Sequence, residues 1–142
     1  MTQDKLQDLL FKIYKSIGKD EDGEFRIVLD ADEDCDQPVI IYIRLTDAAI
    51  RITGVCPKFF KIENSDLVRI LLHINDWNAK KLFPKAYLVK NENVWYAMAE
   101  TNLILDDEEF AVPDVYVEKY IKNMGALMWR FYVSLNKGKI DD

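Results

Sequence analysis

Three groups of residues have the side-chain types that chemistry needs: an acidic run, a lone histidine and two cysteines. The run Asp30-Ala31-Asp32-Glu33-Asp34-Cys35-Asp36 opens like a calcium loop, with carboxylates at alternating positions. An EF-hand also needs glycine at its sixth position and a bidentate glutamate at its twelfth. Those positions hold Cys35 and Ile41, and strand patterns flank the run. It reads as a solvated strand-to-strand turn that keeps a sheet edge soluble. His73 is the only histidine and sits inside a helical pattern. No neighbouring Ser, Cys or Asp makes a recognisable triad with it, although triads are assembled in space. It is expected on a helix surface or partly buried.

Cys35 and Cys56 lie outside any Cys-x-x-Cys and cannot form a zinc site alone. They read as reduced and structural, with a disulfide or redox pair as the alternative. Phosphate-binding glycine loops and a G-x-S-x-G elbow are absent from the sequence. Carboxylates are plentiful but fall in loops, where they fit solvated faces better than acid/base pairs. The expectation is therefore a protein that is not an enzyme, with no catalytic residue, cofactor or metal.

A chain of 142 residues is expected to form one domain over 1–142. Its 49% apolar and 31% charged composition is that of a soluble globular protein. No apolar run approaches the roughly 20 residues of a membrane helix. Met1 to Lys5 shows no basic-then-apolar pattern of an export signal. A cytoplasmic location is expected. The net charge is −6. Residues 1–36 hold eleven acids and five bases, and the remainder balances at fourteen of each. A net acidic chain without a basic cluster is a poor ligand for nucleic acid or an anionic membrane.

Helix and strand periods alternate along the chain. Thr2 can cap a first helix whose apolar face is Leu6, Leu9, Leu10, Ile13, Tyr14 and Ile17, with Gly18 as its stop. After the polar turn Asp20–Gly23, strands are expected at Phe25–Leu29, Val39–Leu45 and Ala49–Val55. Their connections are too short for parallel crossovers, so they form an antiparallel meander. Ser65 and Asp66 can cap a second helix bearing Leu67, Ile70, Leu71, Ile74, Trp77 and Asn78 on one face. Strands expected at Tyr87–Val89 and Val94–Ala99 flank a hairpin turn at Asn91-Glu92-Asn93, and residues 102–104 can prolong the second. Residues 106–109 read as an exposed acidic loop. Asp114, after Pro113, caps a last helix. The order α-β-β-β-α-β-β-α implies an α+β fold with a five-stranded, largely antiparallel sheet and flanking helices.

The last helix carries a wide apolar stripe that includes Tyr120, Met124, Leu127, Met128 and Tyr132, with Trp129 just outside it. A wide stripe can bury one side on the sheet and show the other to a partner chain. These six residues are the candidate partner-binding or homodimer surface. A fully buried core helix is the alternative.

The segment from Ile74 to Tyr87 joins the second helix to the fourth strand. Asn75 and Asn78 can bond freed helix carbonyls or the next turn. Trp77 can bury its ring while its indole N–H seeks an acceptor. Pro84 stops the helix. This motif (Asn75, Trp77, Asn78, Pro84) reads as a structural corner, with a ligand contact by Asn75 or Asn78 as the alternative. The Asn-x-Trp-Asn core, Lys80-Lys81, and Phe83-Pro84-Lys85-Ala86-Tyr87-Leu88 opening a strand resemble the YbjN family of small bacterial proteins. The second half carries the resemblance; the first half agrees in element order. The Asn91-Glu92-Asn93 turn departs from the glycine-bearing turn expected there. The resemblance implies a fold like the class I type III secretion chaperones, which bind polypeptide and commonly form homodimers. It supplies no catalytic residues.

The reading is a non-enzymatic protein-binding module, chaperone-like or a regulatory adaptor, with a protein partner and as a homodimer. A small-molecule-binding sensory domain and an acidic immunity or inhibitor protein are the alternatives.

Overall fold

The structure is a computed structural model that describes residues 1–59, 61–105 and 113–141. Its frame is a six-stranded antiparallel sheet. The strands are β1 (Gly18–Lys19), β2 (Phe25–Leu29), β3 (Val39–Leu45), β4 (Ala49–Val55), β5 (Lys85–Asn91) and β6 (Val94–Ile104). They lie in the order β1-β2-β3-β4-β6-β5. Helices α1 (Gln3–Ile13), α2 (Asn64–Lys80) and α3 (Asp114–Lys137) complete the order, with a short 3-10 turn at Pro57–Phe59. The expected acidic loop at 106–109 lies outside the described residues.

The α+β class and the meander β2-β3-β4 match the expectation, and β3 and β4 have the expected bounds. The sheet has six strands, not five. Helix α1 stops at Ile13, because Tyr14 turns extended and donates its backbone N–H to the Leu10 carbonyl at 2.9 Å. Gly18 is therefore no helix stop. With Lys19 it forms β1, which pairs with Arg26 and Phe25. Asp20 closes that hairpin by accepting from the N–H groups of Asp22 and Glu24, both at 2.9 Å. A two-residue strand is too short to carry an alternating pattern.

Thr2 does cap α1, accepting from the Lys5 N–H at 3.2 Å. The other two caps fall elsewhere. Helix α2 begins at Asn64 after Glu63, so Ser65 and Asp66 lie in its first turn. Asp66 still suits the positive end of the helix and pairs with Arg69 at 3.6 Å. Helix α3 begins at Asp114 itself, whose carboxylate pairs with Lys5 at 3.1 Å. Gly138 ends α3 in the left-handed conformation at φ 70°. The β5–β6 turn is a two-residue one. Glu92 and Asn93 both take positive φ, 48° and 67°, which sets Asn91 opposite Val94.

All three helices serve one face of the sheet. The register puts Phe25, Ile27, Ile41, Ile43, Ile50, Ile52, Gly54, Ala97 and Ala99 on that face, and all are buried. Helix α3 lies across β3, β4 and β6, α2 lies over β5, and α1 packs on α3. The face of α3 toward the sheet is Val117, Ile121, Met124, Met128, Phe131, Tyr132 and Leu135, all buried. It approaches closely because position 54 has no side chain. A Cβ there would lie 2.8 Å from the Met128 sulfur. Beside it the Tyr132 hydroxyl reaches the carbonyls of Gly54 at 2.6 Å and Ala97 at 3.0 Å. The one hydroxyl thus ties α3 to the backbones of both β4 and β6. Burial holds the Tyr132 phenol well above its ordinary pKa and keeps it protonated as that donor.

Replacing Tyr132 by Phe removes the hydroxyl that bonds the Gly54 and Ala97 carbonyls. The expected cost is about 1–3 kcal/mol, read as a lower urea midpoint at unchanged slope. A midpoint equal to the parent's would show that the hydroxyl does not anchor α3.

Candidate functional site

Three of the six residues expected as a partner surface lie in the core. Met124 (3% exposed), Met128 (0%) and Tyr132 (0%) are core side chains. A helix lying flat across a sheet and flanked by α1 and α2 buries a broad arc, which accounts for the wide stripe. Tyr120, Leu127 and Trp129 are half-buried. Tyr120 spends its hydroxyl on the Asn102 carbonyl at 2.9 Å and on Thr101.

The motif between α2 and β5 is a hydrogen-bonded corner. Trp77, 2% exposed, donates its indole N–H to the Pro84 carbonyl at 2.9 Å. Its ring meets Phe131 edge-on, with centroids 5.2 Å apart. The Asn78 carboxamide pairs with both backbone groups of Ala86: it donates to the carbonyl and accepts from the N–H, each at 2.9 Å. The side chain thus stands where another strand would. Lys85 Nζ bonds the freed carbonyls of Asn78 and Lys81 at 3.2 and 3.1 Å. The Phe83–Pro84 peptide is cis. Asn75 is exposed in a shallow groove beside Leu67, Leu71 and Leu88.

This corner decides the fate of the sheet edge. Because Asn91 and Val94 close a two-residue turn, the even-numbered residues of β5 aim their backbone groups away from β6. Ala86 is capped by Asn78, and Lys90 places a charge beside Leu88 on the same edge. Charge and capping are the usual defences against edge pairing. The opposite edge, β1, is two residues long.

His73 lies closer to a triad partner than the sequence indicates. Its Nε2 is 2.9 Å from Ser134 Oγ, sixty-one positions away on α3. Ser134, however, donates its own proton to the Phe131 carbonyl at 2.6 Å. The imidazole N–H must therefore donate to Oγ, the reverse of what a general base does for a nucleophile. Burial lowers the His73 pKa from its ordinary 6.5; Asp76 opposes this and Arg69 adds to it. The acidic run builds a turn: Asp32 accepts from the N–H groups of Asp34 and Cys35 at 2.8 and 2.9 Å. Among the described residues no three His, Cys, Asp or Glu side chains converge to hold a metal. Cys35 and Cys56 are buried and are not joined in a disulfide.

The surface that sequence reading could not resolve is the sheet face that no helix among the described residues covers. The register places Val28, Ile40, Val55, Met98 and Tyr87 in one line across five strands. Val28 is 42% exposed, Ile40, Met98 and Tyr87 are half-buried, Val55 between them is buried, and Val89 and Tyr96 extend the patch. The next line is Arg26, Tyr42, Thr53, Glu100 and Lys85, followed by Arg44, Arg51 and Asn102. Glu100 gathers its neighbours, accepting from Tyr87 at 2.9 Å and pairing with Arg51 at 3.3 Å. Burial, reinforced by the Glu100 bond and charge, pushes the Tyr87 phenol up to about 12. Arg44 pairs with Glu24 at 3.9 Å. The face is thus an apolar band bordered by Arg26, Arg44, Arg51 and Lys85, in a chain whose net charge is −6. Helix α2 also shows apolar side chains, Val68, Leu71 and Leu72, to solvent.

Two consequences are measurable. Asn78→Ala should cost about 1–2 kcal/mol in chemical denaturation. Asn78→Asp should cost at least as much, since a carboxylate cannot donate to the Ala86 carbonyl. Equal stability of the parent and both variants would mean that the corner does not hold β5. For His73, the folded pKa lies below the unfolded one, so the unfolded chain binds more protons. Stability from this group is present above 6.5 and is lost as pH falls through the folded value. Between pH 7 and pH 5 the parent Tm should fall more than that of His73→Gln. Parallel curves would contradict this assignment.

The sequence matches the family model YbjN, described as "Putative bacterial sensory transduction regulator", over residues 17–135. No curated protein matches it. Among solved structures it is similar to one described as "Crystal structure of YbjN, a putative transcription regulator from E. coli". The TM-score is 0.75 at 14% identity, over 96% of this chain and 92% of that one. At that identity the likeness establishes the fold, a one-sided antiparallel sheet with flanking helices. The family match starts in the first third of the chain and runs through all six strands and most of α3. The chain belongs to the YbjN family.

Proposed function

We propose that this protein is a non-enzymatic, protein-binding regulator that recognises its partner with the open face of its sheet. The observation that carries the reading is the apolar line from Val28 to Tyr87 with arginines beside it. A helix-free face with contiguous apolar side chains marks an interaction surface, and Tyr, Met and Arg are the residues enriched at such surfaces. Recognition through an edge is disfavoured, because one edge is two residues long and the other is capped and charged.

The flanking charge specifies the partner. Arg26, Arg44 and Arg51 outnumber Glu24 and Glu100 on this face. A polypeptide with apolar anchors and acidic flanks is complementary to it. This differs from the expectation that an acidic chain suits a basic partner, because the acids are concentrated at residues 1–36 and the open face is locally cationic. The family's description as a sensory transduction regulator is compatible with an adaptor of this kind. A chaperone-like role and self-association both belong to the same proposal. The stripe on α3 that suggested a homodimer is used on the sheet, so a second copy would also dock on the open face.

The test uses the full chain as bait in its native extract. The parent should retain a stoichiometric partner, and Ile40→Glu/Met98→Glu should recover at least about tenfold less. Leu72→Glu on α2 serves as the control and should recover as much as the parent. Equal recovery by the sheet variant, with its Tm unchanged, would exclude the open face.

A further inference from the structure

A cavity of about 510 Å³ lies where α3 meets the end of α2 and the C-terminal residues. Volumes of this size suit drug-sized ligands. Its apolar wall is Leu127, Trp129 and Val133, with the ring of Trp77 behind them. Lys81, Arg130 and Lys137 line it as well. Lys81 is anchored: its ammonium sits over the Trp77 ring at 5.9 Å and donates to the Asp141 carbonyl at 3.0 Å.

The other donors are not committed. The Arg130 guanidinium, the Lys137 ammonium and the Trp129 indole N–H have no acceptor among the described residues. An indole beside apolar side chains offers a stacking surface. A guanidinium and an ammonium together favour an anion held by charge-assisted hydrogen bonds. Asp34 and Asp141 also line the cavity, and their charge disfavours a multiply charged ligand.

We infer that this cavity binds a small planar aromatic monoanion, its ring against Trp129 and its anionic group on Arg130 and Lys137. The site is separate from the open sheet face and stands whether or not that face binds protein. It would give a protein-binding module a small-molecule input. Ser134 lines the cavity and also receives the His73 N–H, which ties one wall to the α2–α3 contact.

The probe is anilinonaphthalene sulfonate, a planar aromatic monoanion, titrated into the full chain with dye and tryptophan emission as readouts. Binding should quench tryptophan emission, and Trp129→Ala, which removes the stacking surface, should weaken dye binding. Arg130→Gln/Lys137→Gln should weaken binding by about tenfold, the size of a lost charge-assisted contact. Phenylnaphthylamine, which lacks the sulfonate, should bind at least about tenfold more weakly than the dye. The Ile40→Glu/Met98→Glu variant should bind the dye as the parent does. Binding within about twofold of the parent in the Arg130/Lys137 variant, or equal binding of the uncharged analogue, overturns the inference. Loss of the dye in the sheet variant would place it on the open face and overturn it equally.

Discussion

The hydroxyl of Tyr132 reaches two main-chain carbonyls, Gly54 at 2.6 Å and Ala97 at 3.0 Å, and its ring lies edge-on to Phe131. This contact needs α3 to lie flat on β4 and β6. The helix can do so because Gly54 leaves room for Met128, where a Cβ would collide with sulfur. A close-packed interior transmits such a constraint, since neither the helix nor the strand can shift independently. Helix α1 then packs on α3, and α2 follows through the Trp77–Phe131 contact at 5.2 Å. The three helices are thereby committed to one face.

A one-sided sheet must expose its other face, and this face is not a uniformly polar one. Its lines of side chains alternate between apolar and charged across the strands, with Glu100 pairing to Arg51 and Tyr87 between them. Two adjacent arginines, Arg44 and Arg51, stand opposite each other in the ladder. Like charges so placed cost stability, and Glu24 and Glu100 offset part of that cost. An arrangement that is expensive for folding alone is consistent with selection for recognition. The capped β5 edge and the short β1 edge leave the face, rather than the rim, as the exposed feature of the sheet.

Much of this was legible in the residue order. The alternation in Val39–Leu45 and Ala49–Val55 marks β3 and β4 to the residue, because each strand has one wholly apolar face. The Asn-x-Trp-Asn segment announces a corner, since a tryptophan and two carboxamides at a helix end require partners. The partners themselves, the Pro84 carbonyl and both backbone groups of Ala86, depend on how the chain turns after Lys81. Strand β1 left no pattern in two residues. The caps of α2 and α3 were misplaced because good capping residues also occupy first turns, where Asp66 and Asp114 satisfy the helix dipole instead.

What the sequence determined by itself is the set of local periods: three helices, the long strands, the turn residues and the family. These follow from side-chain alternation and backbone preference, which act over a few neighbours. What only the tertiary structure decided is which surfaces are left over. The stripe on α3 does not state whether a sheet or a partner covers it. The line Val28–Ile40–Val55–Met98–Tyr87 does not exist until four strand pairings fix their registers. His73 meets Ser134 across sixty-one positions for the same reason. Both are long-range juxtapositions: strand pairing sets the first, and the packing of α2 on α3 sets the second.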